Sequence, residues 1–262
     1  VTPAWTTDVV TADLGRAVHY TLLWGLEGVA LRAVGGPSDR VPHVNEAVLR
    51  RRLDAAELPV VAVDPGLFEG AADGRAAWLN DLDRLEETAA FCRRVGCRVV
   101  RVGALAAGGG GRDRAEALGR AAEAAGRHGL RLAVRNETGG DIATGAALAA
   151  LLRSIGPAAP DADWRPADAL RAGEDPAAGL GALLDAGATV ACVGVRDGHA
   201  EGGGWTEAAV GEGAVGWGRQ LAALAAAGYD GPLVLDALPG PAKTHGLSAA
   251  TALVGAARRA GR

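Results

Sequence analysis

Residues 75–137 read RAAWLNDLDRLEETAAFCRRVGCRVVRVGALAAGGGGRDRAEALGRAAEAAGRHGLRLAVRNE. Apolar residues recur three and four positions apart over 75–95 and again over 113–128, the spacing that gives a helix one buried face. A glycine stops each run, Gly96 and Gly129, because glycine accepts the left-handed conformation that closes a helix. Short runs follow at 98–102, RVVRV, and 131–134, RLAV, each with valine or leucine among its apolar residues. Helix, glycine, strand, repeated in that order, is the pattern of a parallel sheet with crossover helices.

Outward from this segment the same alternation fills the chain. It predicts strands over 7–10, 28–34, 60–63, 98–102, 131–134, 163–164, 189–195 and 232–235. Helices are expected over 13–26, 43–57, 75–95, 113–128, 144–154, 175–186, 215–227 and 248–259. Eight units in 262 residues, with no break in composition, predict an α/β chain of one domain, 1–262, closed as a single (β/α)8 barrel. A doubly wound open sheet is the alternative. It would use fewer strands and carry a nucleotide fingerprint after the first one.

Composition excludes several classes. The 27 basic and 31 acidic residues give a net charge of −4 with neither sign in a block, which argues against a nucleic-acid partner, since phosphate binding needs clustered cations. No uncharged apolar run approaches the roughly 20 residues of a membrane span, and residues 1–8 lack a basic stretch leading into an apolar core. A cytoplasmic location without membrane contact is expected. Cys92, Cys97 and Cys192 lack the spacing of a disulfide framework or a thiolate metal site and read as small buried apolar groups. Gly108 to Gly111 could form an anion nest or a plain loop. Gly211, Gly213 and Gly216 spell GxGxxG, but no strand feeds directly into them, so they do not read as a dinucleotide site.

A barrel of this kind carries its chemistry where the strands end. Those positions hold Arg32, Asp64, Arg101, Arg135, Glu137, Arg165, Asp168, Arg196, Asp197, His199 and Asp236. Arginines mixed with carboxylates suit a polar, anionic small molecule, because a guanidinium binds carboxylate or phosphate through paired hydrogen bonds. The other reading is a set of internal salt bridges around the mouth.

Several segments resemble, in order, the xylose isomerase-like TIM barrels of the sugar phosphate isomerase/epimerase superfamily. Gly25 to Arg32, GLEGVALR, is similar to that family's G-hydrophobic-x-G-V-E-L-R strand. The stretch from Leu85 to Val102 resembles its helix leading into G-x-x-x-V-R-V, and Ala124 to Asn136 its A-x-x-x-G-V-x-L-A-hydrophobic-E-N. Val193 to Gly198 resembles V-H-V-K-D-G, Gly211 to Trp217 resembles G-E-G-x-V-D-W, and Gly228 to Asp236 the closing G-Y-D-G strand. The resemblance implies a divalent cation held by Glu, Asp, His and Glu from the last four strands. Those places fall here on Arg135, Arg165, Gly194 and Asp236, so only one carboxylate remains and two arginines add positive charge. No cofactor is expected, unless Glu137, Asp168, Asp197 and His199 form a rearranged metal site.

The function so implied is that of an isomerase or epimerase of carbohydrate metabolism. It would act on a small, polar, anionic substrate by proton abstraction beside a carbonyl, without needing a metal. Glu137 and Asp236 are the first candidate bases, with Asp168 and Asp64 behind them. Arg32, Arg101, Arg135, Arg165, Arg196 and His199 are the candidate substrate-binding groups. The alternatives are a catalytically inactive binding barrel and an inosose dehydratase-like lyase. An apurinic endonuclease would need three metals and many more histidines than the five present. His43 and His245 are expected in loops at the functional face, and Trp205 on a glycine-rich loop that either covers a ligand or anchors itself. Ala-rich outer helices leave room for pairing into a homodimer.

Overall fold

The computed structural model describes residues 1–36, 39–70, 75–106, 111–201, 204–238, 240 and 242–260. Eight parallel strands close on themselves: β1 (Thr2–Thr6), β2 (Gly28–Leu31), β3 (Val60–Val63), β4 (Val99–Val102), β5 (Arg131–Arg135), β6 (Asp161–Trp164), β7 (Val190–Val195) and β10 (Pro232–Leu235). Closure comes where β1 pairs with β10, Ala4 level with Val234, and with β2, Ala4 level with Gly28. Between strands run α1 (Leu14–Leu23), α2 (Glu46–Ala55), α3 (Arg75–Val95), α4 (Gly111–Arg127), α5 (Gly145–Ile155), α6 (Pro166–Arg171), α7 (Pro176–Asp185), α8 (Trp217–Ala226) and α9 (Ala242–Ala260). This is the (β/α)8 TIM barrel. None of the described helices is long and apolar enough to cross a membrane.

Helix starts and stops follow local chemistry. Asp13, Asn45 and Thr144 each accept a hydrogen bond from a first-turn amide of α1, α2 and α5, supplying the acceptor that an isolated helix start lacks. Gly96 (φ 73°) and Gly228 (φ 75°) take the left-handed conformation at helix ends.

Two layers of side chains fill the molecule. The larger lies between strands and helices and includes Trp5, Leu31, Phe91, Trp164 and Leu180. The smaller lies inside the barrel and is made of Ala4, Ala30, Ala62, Val99, Ala133, Ala191, Cys192 and Val234. Small residues there leave space above them, toward the strand ends.

The structure corrects four elements. The first strand is Thr2–Thr6, and the stretch expected as a strand at 7–10 begins with a 3-10 turn, Thr7–Val9. Pro3 occupies a strand that pairs on both sides, a position alternation alone undervalues. The segment after β7 is not a loop but an antiparallel hairpin of β8 (Asp197–Glu201) and β9 (Gly204–Ala208). The short helix α6 was not expected, and α9 begins at Ala242 instead of Ser248. Of the run from Gly108 to Gly111, the first three glycines lie outside the described residues.

Candidate functional site

Side chains alternate across a strand, so a residue two positions past an inward alanine also faces inward. Above Ala4, Ala30, Ala62, Val99, Ala133, Cys192 and Val234 that rule places Thr6, Arg32, Asp64, Arg101, Arg135, Gly194 and Asp236. On β6 the residue level with Arg135 is Asp163.

Arg101 occupies the centre of this layer, with 1% of its side chain exposed. Its Nε donates to Asp163 Oδ2 at 2.9 Å and Nη2 to Asp163 Oδ1 at 3.3 Å. The other edge of the guanidinium donates to Asp236, Nη1 to Oδ1 at 2.9 Å and Nη2 to Oδ2 at 2.6 Å. Thr6 adds a hydroxyl to Asp236 Oδ1 at 2.8 Å. Arg165 stands beside both carboxylates, 3.5 Å from Asp163 and 3.7 Å from Asp236. Burial alone would push the Asp236 carboxyl up, yet the guanidiniums of Arg101 and Arg165 hold it well below the usual carboxylate range.

A second network lies alongside. Arg135 donates to Asp64 at 2.8 Å and to Glu69 at 2.5 Å. Asp64 is buried, which opposes ionisation, but Arg135 outweighs burial and keeps its carboxyl below the ordinary value. Arg40 approaches Asp64 and Glu69 at 3.6 Å each.

The remaining expected residues have diverse settings. Glu137 is exposed over 59% of its side chain, with Oε2 3.7 Å from Arg135 Nε. Asp168 accepts the Thr138 hydroxyl at 2.6 Å and the Thr138 amide at 3.3 Å, which ties the end of β5 to α6. Asp197 accepts from the amides of Gly198, Gly211 and Val215 at 2.9, 2.8 and 3.2 Å. The Asp-Gly and Gly-Glu-Gly segments therefore meet around one buried carboxylate that shapes a loop. Arg196 pairs with Glu207. His199 lies half-buried on β8. The ring of Trp205 lies against Gly198, with the Arg171 guanidinium 5.5 Å from its centroid, which fits loop anchoring. His43 pairs with Glu87 at 3.6 Å on the surface, and His245 lies within α9, not in a loop. Of the two expected bases, Asp236 lies inside the barrel and Glu137 at its rim.

Sequence reasoning missed Asp163, Thr6, Asp8, Arg40 and Glu69. Asp163 was within reach, because it lies two residues before Arg165 and shares its facing. Thr6 was lost with the misplaced first strand.

The divalent cation implied by the resemblance does not fit these residues. Level with Arg135 lies Asp163 and not Arg165, so two of the four places carry carboxylates instead of one. Both carboxylates, however, are taken by the Arg101 guanidinium. Gly194 marks the third place, where an added Cβ would lie 2.8 Å from Asp236 Oδ2 and 3.0 Å from Arg165 Cγ. No group of three or more His, Cys, Asp or Glu side chains able to hold a metal ion occurs among the described residues.

Fold and site thus define an (β/α)8 barrel whose inward polar layer is ion-paired by arginine. The chain belongs to the xylose isomerase-like TIM barrel family, which matches residues 20–250. No curated protein matches it in sequence. Among solved structures it is similar to a xylose isomerase-like TIM barrel/4-hydroxyphenylpyruvate dioxygenase fusion protein, at 20% identity and TM-score 0.77, over 97% of this chain but only 41% of that one. It is also similar to L-ribulose 3-epimerase, at 18% identity and TM-score 0.74, over 100% of this chain and 97% of that one. A probable 3-DHS dehydratase from Bacillus anthracis matches at 13% identity and TM-score 0.77, over 97% and 99% of the two chains. At such identities the likeness establishes the fold alone.

Proposed function

We propose that the chain binds a small, polar, anionic carbohydrate derivative at the barrel mouth without a divalent cation, as a member of the superfamily that no longer performs metal-assisted isomerisation. The observation that carries this reading is the Arg101 guanidinium, hydrogen-bonded on one edge to Asp163 and on the other to Asp236. It supplies between those carboxylates the positive charge that a metal would otherwise bring. Asp236 and Asp64, held ionised by arginines, are weak proton acceptors, and Asp168 is engaged by Thr138. The ligand class is supported by the arginines at the mouth and by the sugar epimerases among the structural neighbours.

A second reading, isomerase or epimerase chemistry by proton abstraction, is favoured by one observation. The exposed carboxylate of Glu137 lies beside the fixed cation Arg135, a base next to a group that would stabilise an enediolate oxygen. A lyase would share that first step. Sugar acids and sugar phosphates incubated with the protein in D2O separate the readings, with thermal shift reporting binding and NMR reporting exchange at the carbon beside the carbonyl. The first reading expects stabilisation that survives chelation, with no exchange. Exchange that disappears in Glu137→Gln establishes the second. Stabilisation or turnover that requires added Mn²⁺, Mg²⁺, Co²⁺ or Zn²⁺ overturns the metal-independent reading.

A further inference from the structure

Beside the central network, at the ends of β1 and β2, lies a cavity of about 300 Å3 lined by Asp8, Ala12, Arg32, Ala33, Gly36 and Arg40. We infer that it is an oxyanion-binding site in which Arg32 and Arg40 together grip the phosphate or carboxylate of a short polyol. The inference rests on the proposed function for the polyol, but the anion grip stands on its own geometry.

The two arginines differ from those of the barrel centre in what they have left to donate. Arg32 spends only Nε, on Asp8 Oδ2 at 2.9 Å, so its two terminal amino groups have no hydrogen-bond partner among the described residues. Arg40 makes no side-chain hydrogen bond among the described residues. The carboxylates near it, Asp64 and Glu69 at 3.6 Å, are already bound by Arg135 at shorter range. Arg101, by contrast, is saturated on both edges. Arg32 and Arg40 also keep 35% and 39% of their side chains exposed, so their free donors remain within reach of a solute.

The position of Arg40 is built by the backbone. Val34 donates to the Asp39 carbonyl at 2.9 Å and Val41 to the Arg32 carbonyl at 3.0 Å, which sets Arg40 across from Ala33 as an antiparallel bridge. Gly66 lets the guanidinium lie close, since a Cβ there would be 2.6 Å from Arg40 Cζ. The lining carries two guanidiniums and one carboxylate, that of Asp8, while Asp64 and Glu69 behind Arg40 are shared with Arg135. An oxyanion offers several acceptors in the plane of a guanidinium and takes paired hydrogen bonds from it. A cavity near the lower end of ligand-site volumes, about 300 to 1,000 Å3, suits an oxyanion carried on a few hydroxylated carbons. Arg40 escaped the sequence reading because it stands eight residues past Arg32 and not at a strand end.

The test titrates the full chain with inorganic phosphate, D-gluconate and D-gluconate 6-phosphate by calorimetry, comparing wild type with R32Q, R40Q, R40K and the remote surface variant R153Q. Expected is a loss of about tenfold or more in affinity for the phosphorylated probes in R32Q and R40Q, the order of a charge-assisted hydrogen bond. R40K should fall between, and R153Q should stay within about twofold of wild type by the same arithmetic. Melting temperatures of all variants accompany the titrations. A comparable loss for gluconate assigns the grip to carboxylates as well, whereas a loss confined to the phosphorylated probes assigns it to phosphate. Binding of every probe, gluconate and its phosphate included, equally well to wild type, R32Q and R40Q would overturn this site while leaving the proposed function standing. Phosphate binding that depends on both arginines, with no binding of gluconate or its phosphate, would uphold the anion grip and overturn the carbohydrate reading. No binding of any probe to wild type would overturn the site.

Discussion

Arg101 and Asp236 meet in a two-point pair across 135 positions of sequence, Nη1 to Oδ1 at 2.9 Å and Nη2 to Oδ2 at 2.6 Å. The same guanidinium holds Asp163 on its other edge, so two carboxylates inside the barrel share one cation. Removing one member of a buried pair leaves an uncompensated charge, at a cost of about 3–5 kcal/mol. Arg101→Met is therefore expected to lose about that much stability at pH 7 in urea denaturation. Adding Asp236→Asn to it should restore part of the loss. A single variant as stable as wild type would show that Arg165 alone suffices for both carboxylates.

Stability should fall in acid. Asp64 and Asp236 are ionised in the folded protein with their carboxyls held below the usual range by Arg135 and Arg101. A group whose folded value is depressed contributes in full above its unfolded value, about 3.9 for Asp, and that contribution fades as pH falls toward the folded value. Urea midpoints are expected to be level between about pH 7 and 5 and to drop steadily below about 4. A midpoint that rises on acidification would contradict the paired geometry.

Gly194 is predicted to be required for the central pair. Its missing Cβ would fall 2.8 Å from Asp236 Oδ2 and 3.0 Å from Arg165 Cγ. Overpacking of a filled interior costs about 1–3 kcal/mol, so Gly194→Ala should lower the denaturation midpoint by a matching amount. No change would mean that Asp236 and Arg165 yield without losing Arg101.

Asp197 is predicted to act on folding and not on chemistry. Three amides, those of Gly198, Gly211 and Val215, converge on it, and removal strands all three donors. Asp197→Ala should cost about 3 kcal/mol, with proteolysis first appearing between Asp197 and Gly211. An intact, fully stable variant would instead free Asp197 for a role in the mouth.

Much of the barrel was legible because alternation of helix and strand is a local signal. The strands at 60–63 and 232–235 agree with the structure at both ends. The first strand was not legible, since Pro3 and the threonines around it form a strand only by pairing with β2 and β10. The identity of the strand-end charges could be read, but not their partners. Nothing in the order of residues says that Arg101 reaches across the barrel to Asp163 and Asp236, because that reach depends on the small floor of Ala4, Ala62 and Ala133 beneath it. Asp168 ranks behind Asp236 as a candidate base and Asp197 counts as a carboxylate near a strand end, but sequence shows the donors of none of the three. They differ only in which donors the fold brings to them.

The cation at the heart of this barrel is part of the polypeptide. Its stoichiometry is set at translation, one per chain. It does not exchange with solution, obeys no ranking of metal affinities, and stays in place in the presence of any chelator. The chain thus folds around a charge whose supply no cellular metal pool controls.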